Sequence, residues 1–206
     1  MSFRAIVQPL GTAIPDAPKN TVEYQLELVK LIKNQLKQVK NSEYIGEEKG
    51  KTIFAAQIEH SSFLTELQEF AASIDETNIE EIYKGNQQTR FNHLIEIRNN
   101  VGIYLPVFFF FPMRIALRND ALPIFVGSTP KLYTELQELA TSLKPQDKLE
   151  LNITSDSFVA AEEDLEDYEA TYEGMQHFWP IFSFVVLENL VKKSLQNKLP
   201  IILWSL

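Results

Sequence analysis

Residues 103–111 read Ile-Tyr-Leu-Pro-Val-Phe-Phe-Phe-Phe, with no charge and no alternation of polar and apolar side chains. The most apolar stretch around them, 101–117, contains Pro106, Pro112 and Arg114 and is shorter than the roughly 20 apolar residues a spanning helix needs. The run has the length and aromatic content of a strand. A strand apolar on both sides must be covered on both sides, as in the middle of a sheet. Pro106 cannot donate to a ladder, so a bulge or an edge is expected beside it.

The rest of the chain supplies the cover. A strand is expected over 3–7, then a loop over 11–19 that holds Pro15 and Pro18. Asn20 or Thr21 caps a helix reaching about Lys40. Its apolar residues Tyr24, Leu28, Leu31, Ile32, Leu36 and Val39 fall on one side, opposite Lys30, Lys33, Lys37 and Lys40. A strand over 52–58 follows, then a helix from Ser61 or Ser62 to about Ile74, a helical turn or two over 77–84, and a helix over 87–99. Short strands are expected over 114–117 and 122–126. Ser128 or Thr129 followed by Pro130 is a strong helix start, for a helix running to about Leu143 with Leu132, Leu136 and Leu139 inward. A strand over 148–153, an acidic helix from Ser155 or Asp156 to about Tyr172, an apolar helix over 180–196 and a strand over 200–204 complete the order. Asn197 is placed for a left-handed cap. No repeat or low-complexity linker interrupts 1–206. The expected fold is α+β: one compact domain, with a mixed sheet of about five or six short strands packed with helices, and the acidic helical segment 155–176 within it. The helix–strand alternation after residue 120 predicts some parallel pairing.

The 206 residues carry 28 acids against 19 Lys and Arg, a net charge of -9, and no cysteine. Missing cysteine removes thiol catalysis, disulfide scaffolds and zinc fingers. The acid excess sets nucleic acid aside as a partner, because affinity for phosphates comes from Lys and Arg. The first nine residues lack the pattern of a signal peptide, so no membrane association and a cytoplasmic location are expected. The charge is not spread evenly. From 149 to 191 there are ten acids (Glu150, Asp156, Glu162, Glu163, Asp164, Glu166, Asp167, Glu169, Glu173 and Glu188) and no Lys or Arg, while the remainder is close to neutral. On a helix, Phe158, Ala161, Leu165, Tyr168 and Tyr172 form a stripe, and Glu162, Glu163, Asp167, Glu169 and Glu173 cover much of the other side. Such a face keeps a protein soluble or pairs with the Lys30–Lys40 stripe. It also suits docking on a basic protein, with Tyr168 and Tyr172 as aromatic anchors at its edge. Small acidic proteins that neutralise a basic toxin or nuclease, immunity or antitoxin proteins in kind, would use such a surface. The leading expectation is therefore a non-enzymatic interaction module with a basic protein partner.

The alternative is a small enzyme or small-ligand binder. Gly127, Ser128 and Thr129 lie at a strand-to-helix junction, where free amides can hold an anion. There is no further glycine and no phosphate-loop lysine, and Pro130 removes one donor. His93 with Glu96, and Glu173 with His177, share helix faces, but neither pair has the order and spacing of a di-metal carboxylate motif. No Gly-x-Ser-x-Gly elbow is present. Neither a cofactor nor a metal is expected, and no catalytic residue is singled out. The phenylalanines of 108–111, with Phe178, Trp179, Phe182 and Phe184, read as core or as the lining of an apolar pocket.

Overall fold

The structure, a computed structural model, describes residues 2–14, 21–38, 45–46, 48–60, 62–98, 101–116, 123–144 and 149–205. The cap at Asn20, the end of the basic stripe at Lys40 and the turn at Asn119 and Asp120 lie outside them. In chain order the elements are β1 (Phe3–Val7), α1 (Thr21–Gln38), β2 (Phe54–Ile58), α2 (Thr65–Ile74), α3 (Ile79–Tyr83), α4 (Asn92–Ile95), β3 (Gly102–Leu105), β4 (Met113–Ile115), β5 (Ile124–Ser128), α5 (Thr129–Leu143), β6 (Ser157–Ala160), α6 (Glu162–Thr171), α7 (Phe178–Asn197) and β7 (Ile201–Ser205).

The strands build one mixed sheet in the order β4-β5-β3-β7-β1-β2-β6. β1 lies antiparallel between β2 and β7, and β3 is antiparallel to β7. The expected parallel pairing is found between β3 and β5 and between β2 and β6, while β4 closes one edge antiparallel to β5. Side chains alternate across the sheet as the pleat requires. Phe3, Ala5, Val7, Phe54, Tyr104, Phe125, Phe158, Ile201 and Leu203 face one layer of helices with α2, α5, α6 and α7. Ile6, Ile103, Leu105, Val126 and Ile202 face the other way and pack on Leu28, Val29, Ile32 and Leu36 of α1. The fold is thus α+β with cover on both sheet faces. It has seven strands, more than the five or six expected. No helix among the described residues is long and apolar enough to cross a membrane.

Local chemistry explains where the elements stop. The strand expected over 103–111 is central and fully buried, but it ends at Leu105, where Pro106 denies the ladder its next donor. The helix expected over 87–99 shrinks to the single turn α4. The described residues of 148–153 form no strand. The acidic helix expected from Ser155 divides into β6 and α6. Phe158 and Ala160 point inward while Val159 is 63% exposed, a period of two that a helical plot of Phe158, Ala161 and Leu165 hides. α2 begins at Thr65 with no side-chain cap on its preceding residue, Leu64. α5 starts as expected: the Ser128 hydroxyl accepts from Lys131 N–H at 3.2 Å and Pro130 sits in the first turn. The left-handed residue after α7 is Lys198, one position beyond Asn197.

Candidate functional site

α6 stands at the β6 edge of the sheet. Leu165 is buried, and Tyr168 and Tyr172 are half-buried against Phe182 and Phe178, at ring separations of 5.9 and 6.3 Å. Everything else acidic on the helix points out. Glu162, Glu163, Asp164, Glu166, Asp167 and Glu169 are all exposed, and Glu173 is exposed in the turn beyond. Three of these acids occupy the first turn, where the helix dipole favours them. The Asp164 carboxylate reaches back to accept from Ala161 N–H at 2.8 Å, which fixes the helix start. Six acids in ten residues, at 1.5 Å rise per residue, give one negative charge per about 2.5 Å of axis. Duplex DNA carries one per about 1.7 Å with both strands counted and one per about 3.4 Å on each strand.

Among the described residues this charge is not neutralised. Among the described residues, none of the α6 carboxylates forms an ion pair; the pairs present engage Asp75, Glu80, Glu81, Glu96, Glu138 and Glu188 instead. Lys30 and Lys37 are exposed on α1, which covers the opposite face of the sheet. Among the described residues no ion pair joins α6 to the lysine stripe.

The two tyrosines brace the surface. The Tyr168 hydroxyl accepts from Asn152 N–H at 3.2 Å and the Tyr172 hydroxyl from Glu150 N–H at 3.0 Å, tying the 149–153 segment across the helix. Trp179 donates its indole N–H to Glu169 at 2.7 Å and lies against the His60 ring at 4.2 Å. Of the expected docking residues, Glu162, Glu163, Asp167, Glu169 and Glu173 are exposed on α6 and the turn after it, while Tyr168 and Tyr172 are turned half inward. Trp179, read from the sequence as core or as the lining of an apolar pocket, is half-buried beside Glu169.

The alternative residues meet only in part. Gly127, Ser128, Thr129 and His93 come together in a buried knot, while Glu96 turns toward Arg114, 3.9 Å away. His93 Nδ1 accepts from Ser128 N–H at 2.9 Å, so the ring proton sits on Nε2 and points at the Phe110 carbonyl, 3.2 Å away. Burial holds the His93 pKa down at about 4, so the ring is neutral. The Ser128 hydroxyl donates to the Val107 carbonyl at 2.8 Å. Glu135, which the sequence did not flag, spans both N–H groups at the start of α4: His93 at 3.2 Å and Leu94 at 2.9 Å. Burial raises its pKa to about 8, against the pull of those two hydrogen bonds. Tyr104 donates to the His93 carbonyl at 2.7 Å. Its ring lies where a side chain at position 127 would go: a Cβ there would meet it at 2.5 Å, which is why glycine stands there. Every polar group named in this knot is spent on backbone or on a neighbour. An open groove of about 560 Å³ between Ile74 and Arg90 is similar, since Asp75 uses its carboxylate on the Thr89 hydroxyl, Arg90 N–H and the Arg90 guanidinium. Among the described residues no three His, Asp or Glu side chains converge as metal ligands would.

Fold and surface define an α+β protein with an acidic helix whose carboxylates form no ion pair among the described residues. Residues 48–203 match the family described as "Putative DNA-mimic protein", and the chain belongs to that family. No curated protein and no solved structure matches it. The family corrects the partner reading drawn from net charge, which set nucleic acid aside. Excess acid does oppose contact with phosphates, but the same acid can copy them. In the family's description DNA stands as what is imitated, not as what is bound.

Proposed function

We propose that the chain is a protein-interaction module that docks α6 on the DNA-binding surface of a basic protein and occupies it in place of DNA. The observation that carries this is the charge spacing of α6, between those of one strand and of both strands of duplex DNA, on carboxylates without ion pairs among the described residues. A basic groove built for phosphates meets a helix that offers carboxylates at similar intervals and is already held in shape. Preorganisation lowers the cost of docking, and the bracing by Tyr168, Tyr172 and Asp164 supplies it. Glu162, Glu163, Glu166, Asp167 and Glu173 make the contacts in this reading, with Glu169 and Trp179 at the rim. A nuclease held in this way would be blocked at its DNA site, which is the form the neutraliser reading takes here.

The test uses proteins eluted from a DNA-cellulose column as the probe. Immobilised chain should retain a subset of them at low salt, and the triple variant Glu163→Lys, Glu166→Lys, Asp167→Lys should not. Those three positions avoid the Asp164 cap and the Glu169–Trp179 bond, so the fold is preserved. Equal retention by both proteins contradicts the proposal.

A further inference from the structure

Helix α4 is a single turn. A first helical turn fixes more backbone than its hydrogen bonds return, so it does not hold itself. Phe91, the residue before it, supplies no side-chain cap. The cap comes instead from α5, 41 and 42 residues along the chain, where the Glu135 carboxyl accepts the N–H groups of Leu94 and His93. From there the bonds run outward through His93, which is fully buried with each of its polar groups engaged. Its N–H meets Glu135, and its carbonyl accepts from the Tyr104 hydroxyl. Its Nδ1 accepts from Ser128 N–H, and its Nε2–H donates to the Phe110 carbonyl. Ser128 extends the network, its hydroxyl donating to the Val107 carbonyl and accepting Phe109 N–H at 3.4 Å. Residues 106–112 form neither helix nor strand. These ties, with the buried side chains of Val107 and Phe109, hold that segment against the body of the protein. The Phe109 ring lies 5.7 Å from that of His93.

We infer that α4 and residues 106–112 form one cooperative unit that opens apart from the rest of the sheet, and that the proton on the Glu135 carboxyl is its latch. Proteins open in contiguous units of this kind, below the free energy of global unfolding. The cap of α4 is a carboxyl 1% exposed and without an ion pair among the described residues, a place that suits only its neutral form. Burial lifts its pKa to about 8, against the N–H bonds from His93 and Leu94 and the charge of Lys131, while Glu138 adds to the rise. The titratable groups that face it from other elements bring no charge: burial holds His93 on α4 down at about 4 and raises Tyr104 on β3. Once ionised, the carboxylate is stabilised by water, and parting α4 from α5 admits it. α4 carries His93 as it parts, and His93 carries the bonds to Phe110 and Ser128. The open unit releases a proton that the closed unit keeps, so opening grows as pH climbs toward about 8.

Native-state hydrogen exchange on the full chain tests this, with each amide rate divided by that of free peptide. In the wild type, Leu94, Ser128 and Phe109 N–H should exchange through one common opening. Its free energy and its urea dependence should both lie below those of the β1 amides. From pH 6.5 to pH 8 the opening should grow on the order of tenfold and level off above, as the release of one proton requires. Glu135→Gln should open more at pH 6.5 and show no such growth. The comparison with β1 needs no variant, so it decides even where Glu135→Gln fails to fold. Exchange of Leu94, Ser128 and Phe109 at the free energy and urea dependence of β1 overturns the inference, because global unfolding alone would then expose them. So does Phe109 exchanging independently of Leu94, and so does a pH response that survives in Glu135→Gln. None of these outcomes touches the retention by α6, so the two proposals fail separately.

Discussion

Glu135 is a buried acid whose chemistry departs far from its ordinary state. It is 1% exposed and its pKa is raised to about 8, so it keeps a proton in the folded chain that it gives up near 4.5 when unfolded. A group raised in the folded state contributes stability that is complete below the unfolded value and is lost as pH climbs through the folded one. His93 works the other way, because its folded pKa lies at about 4 against 6.5, so its burial costs stability as pH falls from 6.5 toward 4. Between 4.5 and 6.5 the two oppose each other, and above 6.5 only Glu135 remains. Urea midpoints should therefore fall from pH 6.5 to pH 8 in the wild type. The fall should be smaller in Glu135→Gln, which also loses roughly 1–2 kcal/mol at pH 6.5 because one amide oxygen serves two N–H groups. A second substitution probes the same knot: Gly127→Ala puts a Cβ into the Tyr104 ring and should cost roughly 1–3 kcal/mol in denaturant melts. Neither residue's role was legible in the sequence as such. Glu135 does leave a trace, since it falls on the helix face of Leu132, Leu136 and Leu139, where a charge has no business unless it is paired or neutral. Tyr104 faces Gly127 across parallel strands, a contact between distant residues that no local pattern reveals.

Helix α6 was legible in its charge and misread in its length. The stripe Leu165, Tyr168, Tyr172 and the acidic outer side are found where the spacing put them, yet Phe158 and Ala161 belong to a different element and its junction. Four residues of strand fit a helical period by accident, and only pairing with β2 decides between them. The same competition shortened the apolar run after Leu105. Hydrophobicity alone said core for Phe108, Phe110 and Phe111, whereas two prolines and the end of the ladder put them outside. At this scale the prediction concerns stability. Glu163→Lys, Glu166→Lys, Asp167→Lys relieves like-charge crowding along α6 but places lysine near its positive end, so the effects offset and the thermal midpoint should move by no more than about 2–4 °C. A collapse of the melt would mean those acids hold the fold rather than face a partner. Truncating the buried Leu165 to Ala should instead cost about 2–5 kcal/mol and release α6 from Phe182, which circular dichroism and a denaturant melt report.

Over the whole molecule the sheet separates two surfaces of different character. One pole carries the acidic helix, and the other carries the clamped phenylalanines. The net charge of -9 comes from 149–191, which includes α6, while the rest of the chain is close to neutral. The charge block was visible in the sequence, but the place of α6 beside the β6 edge depends on strand order, which sequence cannot supply. If α6 stands in for DNA, binding must weaken steeply with ionic strength, because the contacts are exposed charges screened beyond about 8–10 Å. Salt alone does not separate imitation of DNA from generic acidity. Competition does. A protein retained by the chain from the DNA-cellulose eluate should be released by added duplex DNA in proportion to its own affinity for that DNA, and the chain should in turn strip it from a labelled duplex in an anisotropy titration, with the α6 triple variant inert in both directions. A complex of chain, protein and duplex forming together, with neither displacing the other, would contradict the account.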